Sequence, residues 1–116
     1  MRAINRTRNA ILVERGTIAA NIWTRMRGLL GHPPLGAGEG LLLKGEKAIH
    51  SIGMTFAIDA LFLDQSGRVI YLMPSMPPMR ASPMIWQSQD VLELPAGKIT
   101  ETGTALGDEI EIQSQT

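Results

Sequence analysis

Cysteine is absent from this 116-residue chain, which excludes disulfides, thiolate zinc sites and thiol nucleophiles. Aromatic residues make up only 4%, so aliphatic and methionine side chains must fill the interior. No apolar run is long enough to span a bilayer. Arg2, Arg6 and Arg8 stand near the start, but no hydrophobic signal core follows them. These absences lead to the expectation of a cytoplasmic chain that does not enter the membrane. The formal net charge is zero, which argues against a broad nucleic-acid surface.

What is present is a single-domain length with 44% apolar residues, enough for one core. Charge is unevenly spread. Arg2, Arg6, Arg8, Arg15, Arg25 and Arg27 face a single acid, Glu14, in the first thirty residues. The last segment reverses this, with Asp90, Glu93, Glu101, Asp108, Glu109 and Glu111 against Lys98. One reading is a basic arm for phosphate or an acidic partner. The other is that the two ends meet and neutralise each other, as termini of small domains often lie close together.

Periodicity predicts a strand at Ala10–Val13, then a helix with Thr17 as its N-cap and Ile18, Ile22, Met26 and Leu29 on one stripe. Strands are predicted at Gly40–Lys44, Ala48–Ile52, Ala57–Asp64, Arg68–Met73, Ile85–Leu94 and Glu109–Gln113, with a short helical piece near Lys98–Thr102. Asp64-Gln65-Ser66-Gly67 has turn chemistry. The four prolines between Pro74 and Pro83 exclude a central strand there. The expected architecture is mainly β: one domain (residues 1–116), a β-sandwich or partly closed barrel of about six or seven short strands with one N-terminal helix.

His50 and Asp59 are polar residues inside apolar, strand-like runs, and each must be satisfied by something. If Ala48–Ile52 and Ala57–Asp64 form a hairpin, the two face each other with Cβ atoms about 5 Å apart. A one-residue slip would put them on opposite faces. The pair is then either a His–Asp couple at a pocket mouth or a structural arrangement, with Asp59 accepting backbone N–H groups and His50 satisfied in the core. Two ligands are too few for a metal, and His32 lies in an unrelated loop. Ser51 cannot easily use its neighbour His50 as base, because successive strand residues point to opposite faces.

Gly36-Ala37-Gly38-Glu39-Gly40 precedes a strand instead of following one, so it reads as a loop and not a dinucleotide fingerprint. Met73, Met76, Met79 and Met84 suit irregular packing or a sticky surface, and thioethers also suit Cu(I). Arg80 is either solvated or a fork for a carboxylate or phosphate. Trp86 either lines a pocket or anchors its strand. Glu93 and Asp108, next to turn glycines, are expected to accept turn amides.

Several segments, taken in order, carry a family likeness. They are Gly28-Leu29, Gly40-Leu41, His50-Ser51, Met54, Phe56, Ile58-Asp59, Phe62, Asp64, Gly67, Leu92-Glu93, Ala96-Gly97 and Gly107-Asp108. With them the chain resembles the domain of unknown function 192 family, small uncharacterised microbial proteins. Members of that family often have Pro where this chain has Ala57 and Trp where it has Met79. The resemblance implies a compact, mainly β fold and brings no established activity.

The functional expectation is a non-enzymatic binding or accessory domain. Its site is expected as a polar cleft containing His50, Asp59, Arg80 and Trp86, for a small anionic ligand or a peptide. No catalytic residue, metal or cofactor is assigned. The alternative is a hydrolase or isomerase using the His50–Asp59 couple as general base.

Overall fold

A computed structural model describes residues 1–20 and 33–114. It has eight strands in two sheets, among the described residues. They are β1 (Arg2–Asn5), β2 (Ala10–Val13), β3 (Arg15–Ala19), β4 (Glu39–Lys44), β5 (Ile58–Leu63), β6 (Val69–Met76), β7 (Asp90–Pro95) and β8 (Ile110–Gln113), with a short helix α1 (Lys98–Thr102) before the last. The smaller sheet has order β2-β1-β8 and the larger β3-β4-β7-β5-β6. The expectation of a mainly β fold holds, as two sheets and not a closed barrel, with eight strands among the described residues where about six or seven were expected. The helix does not begin where expected. Thr17 and Ile18 belong to β3, paired in parallel with β4 through Leu41 and Leu42, and the helix among the described residues is α1, near the C-terminus. The remainder of the expected N-terminal helix lies outside the described residues.

Alternation assigns each strand of the larger sheet two faces. Leu42, Leu61, Leu63, Leu92 and Leu94 point at the smaller sheet and pack with Ala3, Leu12, Val13 and Ile110. Leu41, Leu43, Ala60, Phe62 and Val91 point the other way, into a second core with Ile49 and Met54. β5 is buried along its whole length because both of its faces are covered. Among the described residues, Ile49, Met54, Phe56 and Ile85 of the irregular chain 45–57 and 77–89 pack on this outer face, and these roof segments carry the candidate site.

The ends do meet. β1 pairs antiparallel with β8, so Arg6 bonds Glu111 at 2.7 Å and Arg8 bonds Asp108 at 2.9 Å. Asp108 is buried and also accepts from Asn5 Nδ2 and the Ala105 amide. The turn-amide expectation thus holds for Asp108.

Gly40 leaves no room for a side chain between the layers. A Cβ there would stand 2.5 Å from Val13 Cγ2 and 3.2 Å from the Glu93 carbonyl oxygen. Gly40→Ala is expected to lose about 1–3 kcal/mol by overpacking, read as a lower denaturant midpoint at unchanged slope.

Candidate functional site

The hairpin expected between residues 48–52 and β5 does not form. β5 is flanked by β6 on one side and β7 on the other, which leaves no edge for another strand. His50 instead makes an isolated bridge with Ala81, and its side chain is exposed. Asp59 points into the interior. Both of its carboxylate oxygens are occupied by backbone donors: Oδ1 accepts from Ser75 at 2.8 Å and Gly97 at 3.1 Å, and Oδ2 accepts from Ile99 at 2.7 Å. Each bond has a local cause. Ile58 pairs with Met76 and Ala60 with Met73, so β6 carries an extra residue opposite Asp59. Ser75 in that bulge has φ 51°, and its N–H turns to the carboxylate. Gly97 is the N-cap of α1 but has no side chain to cap with, so Asp59 caps the helix from across the sheet. Asp59 is thus the backbone-amide acceptor of the structural alternative, while His50 is a surface residue and not a core one.

The exposed residues of the prediction gather on the roof. Two of its loops, residues 47–54 and 77–88, are zipped together by backbone bonds: Ser51 N–H to Arg80 O at 2.8 Å, Met79 N–H to Ser51 O at 3.1 Å, Ser82 N–H to Ile49 O at 2.8 Å and Ile85 N–H to Lys47 O at 2.7 Å. Ser51 is fully buried between them. Its hydroxyl donates to Pro77 O at 2.6 Å and accepts from the Arg80 amide at 2.9 Å. This structural role of Ser51 was missed by the sequence reading, although a serine inside an apolar run was its signal. Met79 is held at φ 63°, a conformation uncommon outside glycine that the zipper fixes.

The zipped loops show solvent an unusual set of side chains. Trp86 is 69% exposed, Met79 63%, Ile52 53% and Met84 49%. Trp86 is therefore not a strand anchor. It precedes β7 in a turn whose carbonyls, Trp86 O and Ser88 O, are held by Lys47 Nζ at 2.9 and 2.8 Å. Arg80, on the same loop as Trp86, is exposed. Among the described residues its guanidinium donates only to the adjacent Met79 carbonyl and has no ion-pair partner.

Glu93 lies on the outer face of the larger sheet. Its register partners on the outer face are Leu41 and Ala60, so its carboxyl sits in an apolar setting and is only 5% exposed. Among the described residues, it makes no side-chain hydrogen bond, contrary to the expected turn role. Burial, reinforced by the negative charge of Glu46, pushes its pKa up to about 7. A glutamate between two leucines, Leu92 and Leu94, was the signal for this group: strand alternation puts it on the second apolar face.

Comparisons with known proteins match this fold along nearly its full length. The family model described as Uncharacterized ACR, domain of unknown function 192, matches residues 3–112. A UPF0127 protein of Thermococcus sibiricus is 30% identical over 112 residues, covering 93% of this chain and 72% of the relative. A crystal structure of a protein of unknown function from Novosphingobium aromaticivorans superposes with a TM-score of 0.82 at 20% identity, covering 96% of this chain and 82% of that one. The structure of a proposed transcription regulator from Sinorhizobium meliloti gives 0.79 at 22% identity, covering 95% and 89%. At such identities the two structures show a shared fold.

Proposed function

The chain belongs to the domain of unknown function 192 family, and on that premise we propose that it is a non-enzymatic binding domain. Its zipped roof loops dock a peptide segment of a partner protein. One observation carries the reading. Ile52, Met79, Met84 and Trp86 stand exposed on a pair of loops that the six hydrogen bonds named above hold together. Isolated exposed apolar residues need no explanation, but a large aromatic and three aliphatic or thioether side chains exposed on two hydrogen-bonded loops have the composition of a binding hot spot.

The charge of the loops selects the partner. Arg80, His50 and Lys47 lie on them, while the nearby Asp90 is engaged by Lys44. A segment with carboxylates beside large apolar side chains complements this surface, with Arg80 as the fork for a carboxylate. Asp59 acts behind the surface, holding the bulge and α1 in place. The general-base alternative loses its support, because its couple needs a hairpin that is not formed. Nucleic-acid binding, the reading suggested by the Sinorhizobium meliloti neighbour's description, finds little support here: Arg6 and Arg8 are tied to Glu111 and Asp108. The cysteine-free composition suits a cytoplasmic place of action.

Display selection of random peptides on the immobilised protein tests this. The wild type is expected to enrich acidic, apolar segments. Trp86→Ala should weaken the winners at least about tenfold, as expected of a central aromatic anchor, and Arg80→Glu should reverse the charge preference. Winners that bind both variants as well as wild type would refute the docking surface.

A further inference from the structure

With no cysteine in the chain, all of its sulfur is in seven methionines. Burial divides them. Met1 belongs to the core between the sheets, and Met54 and Met76 to the core on the outer face, with Met73 half-buried against it. Met26 lies outside the described residues. Met79 and Met84 are in neither core and stand 63% and 49% exposed. Both lie on the loop that also carries Arg80 and Trp86.

Both side chains start from tied backbone. Met79, at φ 63°, donates its N–H to Ser51 O at 3.1 Å and accepts the Arg80 guanidinium at 3.3 Å through its carbonyl. Met84 stands between Ser82, whose hydroxyl accepts the Ile49 N–H at 2.9 Å, and Ile85, whose N–H donates to Lys47 O at 2.7 Å. We infer that Met79 and Met84 are an oxidation-sensitive pair on the docking surface: hydrogen peroxide converts their thioethers to sulfoxides, and the surface then loses its hold on an apolar partner. This inference rests on the peptide-docking reading above.

In the step, a sulfur lone pair attacks one peroxide oxygen. The S–O bond forms as the O–O bond breaks, and the second oxygen leaves as water with both hydrogens. Sulfur gives up two electrons and the peroxide takes them. Susceptibility follows exposure, so the core thioethers of Met54 and Met76 are protected. A sulfoxide is polar and chiral where the thioether was flexible and apolar. Docking an apolar side chain on it would strip water from its oxygen without replacing the hydrogen bond. The fold is spared, because neither side chain fills a core. The change is reversible: methionine sulfoxide reductases, one for each epimer, use a dithiol to remove the oxygen as water.

Timed treatment with hydrogen peroxide, read by mass spectrometry of digests and by peptide binding, tests this. Sulfoxide should form at Met79 and Met84 at least about fivefold faster than at Met54 and Met76. A display-selected acidic, apolar peptide should bind the oxidised protein at least about tenfold more weakly, with the loss following the sulfoxide content of those two residues. Far-ultraviolet circular dichroism should stay unchanged, and the two reductases with dithiothreitol should restore binding. Met79→Leu/Met84→Leu conserves volume and, whatever its own starting affinity, should lose none of it under peroxide. Equal oxidation of core and exposed methionines, loss of affinity only with unfolding, loss that persists after the sulfoxides are reduced, or a double variant that still responds would each overturn the inference. A peptide that binds untreated and oxidised protein equally refutes this inference alone. A peptide that fails to bind the untreated protein refutes the docking reading and this inference with it.

Discussion

Asp59→Ala is expected to destabilise the protein by about 4 kcal/mol. The carboxylate is fully buried and takes three backbone N–H groups, from Ser75, Gly97 and Ile99. Hydrogen bonds to a charged group contribute about 1.5–3 kcal/mol each, and orphaning a buried donor costs about 1–3 kcal/mol. The simple sum exceeds 4 kcal/mol, but partial relaxation of the Ser75 bulge and the first turn of α1 brings water to some of these donors. Asp59→Asn keeps one acceptor oxygen and should lose about half as much. His50→Ala, at an exposed position, should change stability by less than about 0.5 kcal/mol. The double variant should be additive within about 0.5 kcal/mol, whereas a paired imidazole and carboxylate would show coupling beyond that. Denaturant melts of wild type and these four variants decide between the two descriptions of Asp59.

The second large effect is the response of stability to pH at Glu93. Its folded pKa is raised to about 7 from an ordinary 4.5. Between those values the folded state holds a proton that the unfolded chain has released. Stability is therefore greatest below about pH 4.5 as far as this group is concerned, falls as pH rises through the window, and levels off above about 7. The full span corresponds to about 3 kcal/mol. Glu93→Gln removes this term and should be more stable than wild type at pH 8 by about 2–3 kcal/mol, with the advantage shrinking toward pH 5. Guanidinium melts of both proteins across this range measure it. A constant difference between them would mean that the carboxyl is hydrated or paired in the folded state.

The strands that were legible in the sequence are those with strong local patterns. Ala10–Val13 was found to the residue, and β4, β5, β6 and β8 were placed within a few residues. α1 was visible as a helical piece behind Gly97. Arg2–Asn5 and Arg15–Ala19 were not, because they are short and are held by partners distant in sequence, Ile110–Gln113 and Glu39–Lys44. The hydroxyl of Thr17 looked like a helix cap, yet parallel pairing with Leu41 outweighed that local preference. Ala48–Ile52 was too apolar to read as a loop, yet it joins the roof through Ile49 and the buried Ser51.

The candidate site was legible in its members more than in their grouping. His50, Arg80 and Trp86 were singled out from sequence and are all exposed, Arg80 and Trp86 on one loop and His50 on its hydrogen-bonded neighbour. Asp59 was singled out for the same reason, a polar residue in an apolar strand, but it serves the interior. Nothing in the one-dimensional pattern separates a carboxylate that caps backbone donors from one that meets a ligand. That depends on the Met73–Met76 bulge and the Gly97 turn, both set by tertiary structure.

The most direct test of the docking surface is a titration of the isotope-labelled protein with a selected acidic, apolar peptide, followed residue by residue by nuclear magnetic resonance. Shifts are expected at Ile52, at Met79 through Trp86 and at the Trp86 indole, with the β1–β8 side unmoved. Saturable shifts centred on Arg6, Arg8 and Glu111, or on the face of the smaller sheet, would place binding elsewhere and contradict the account.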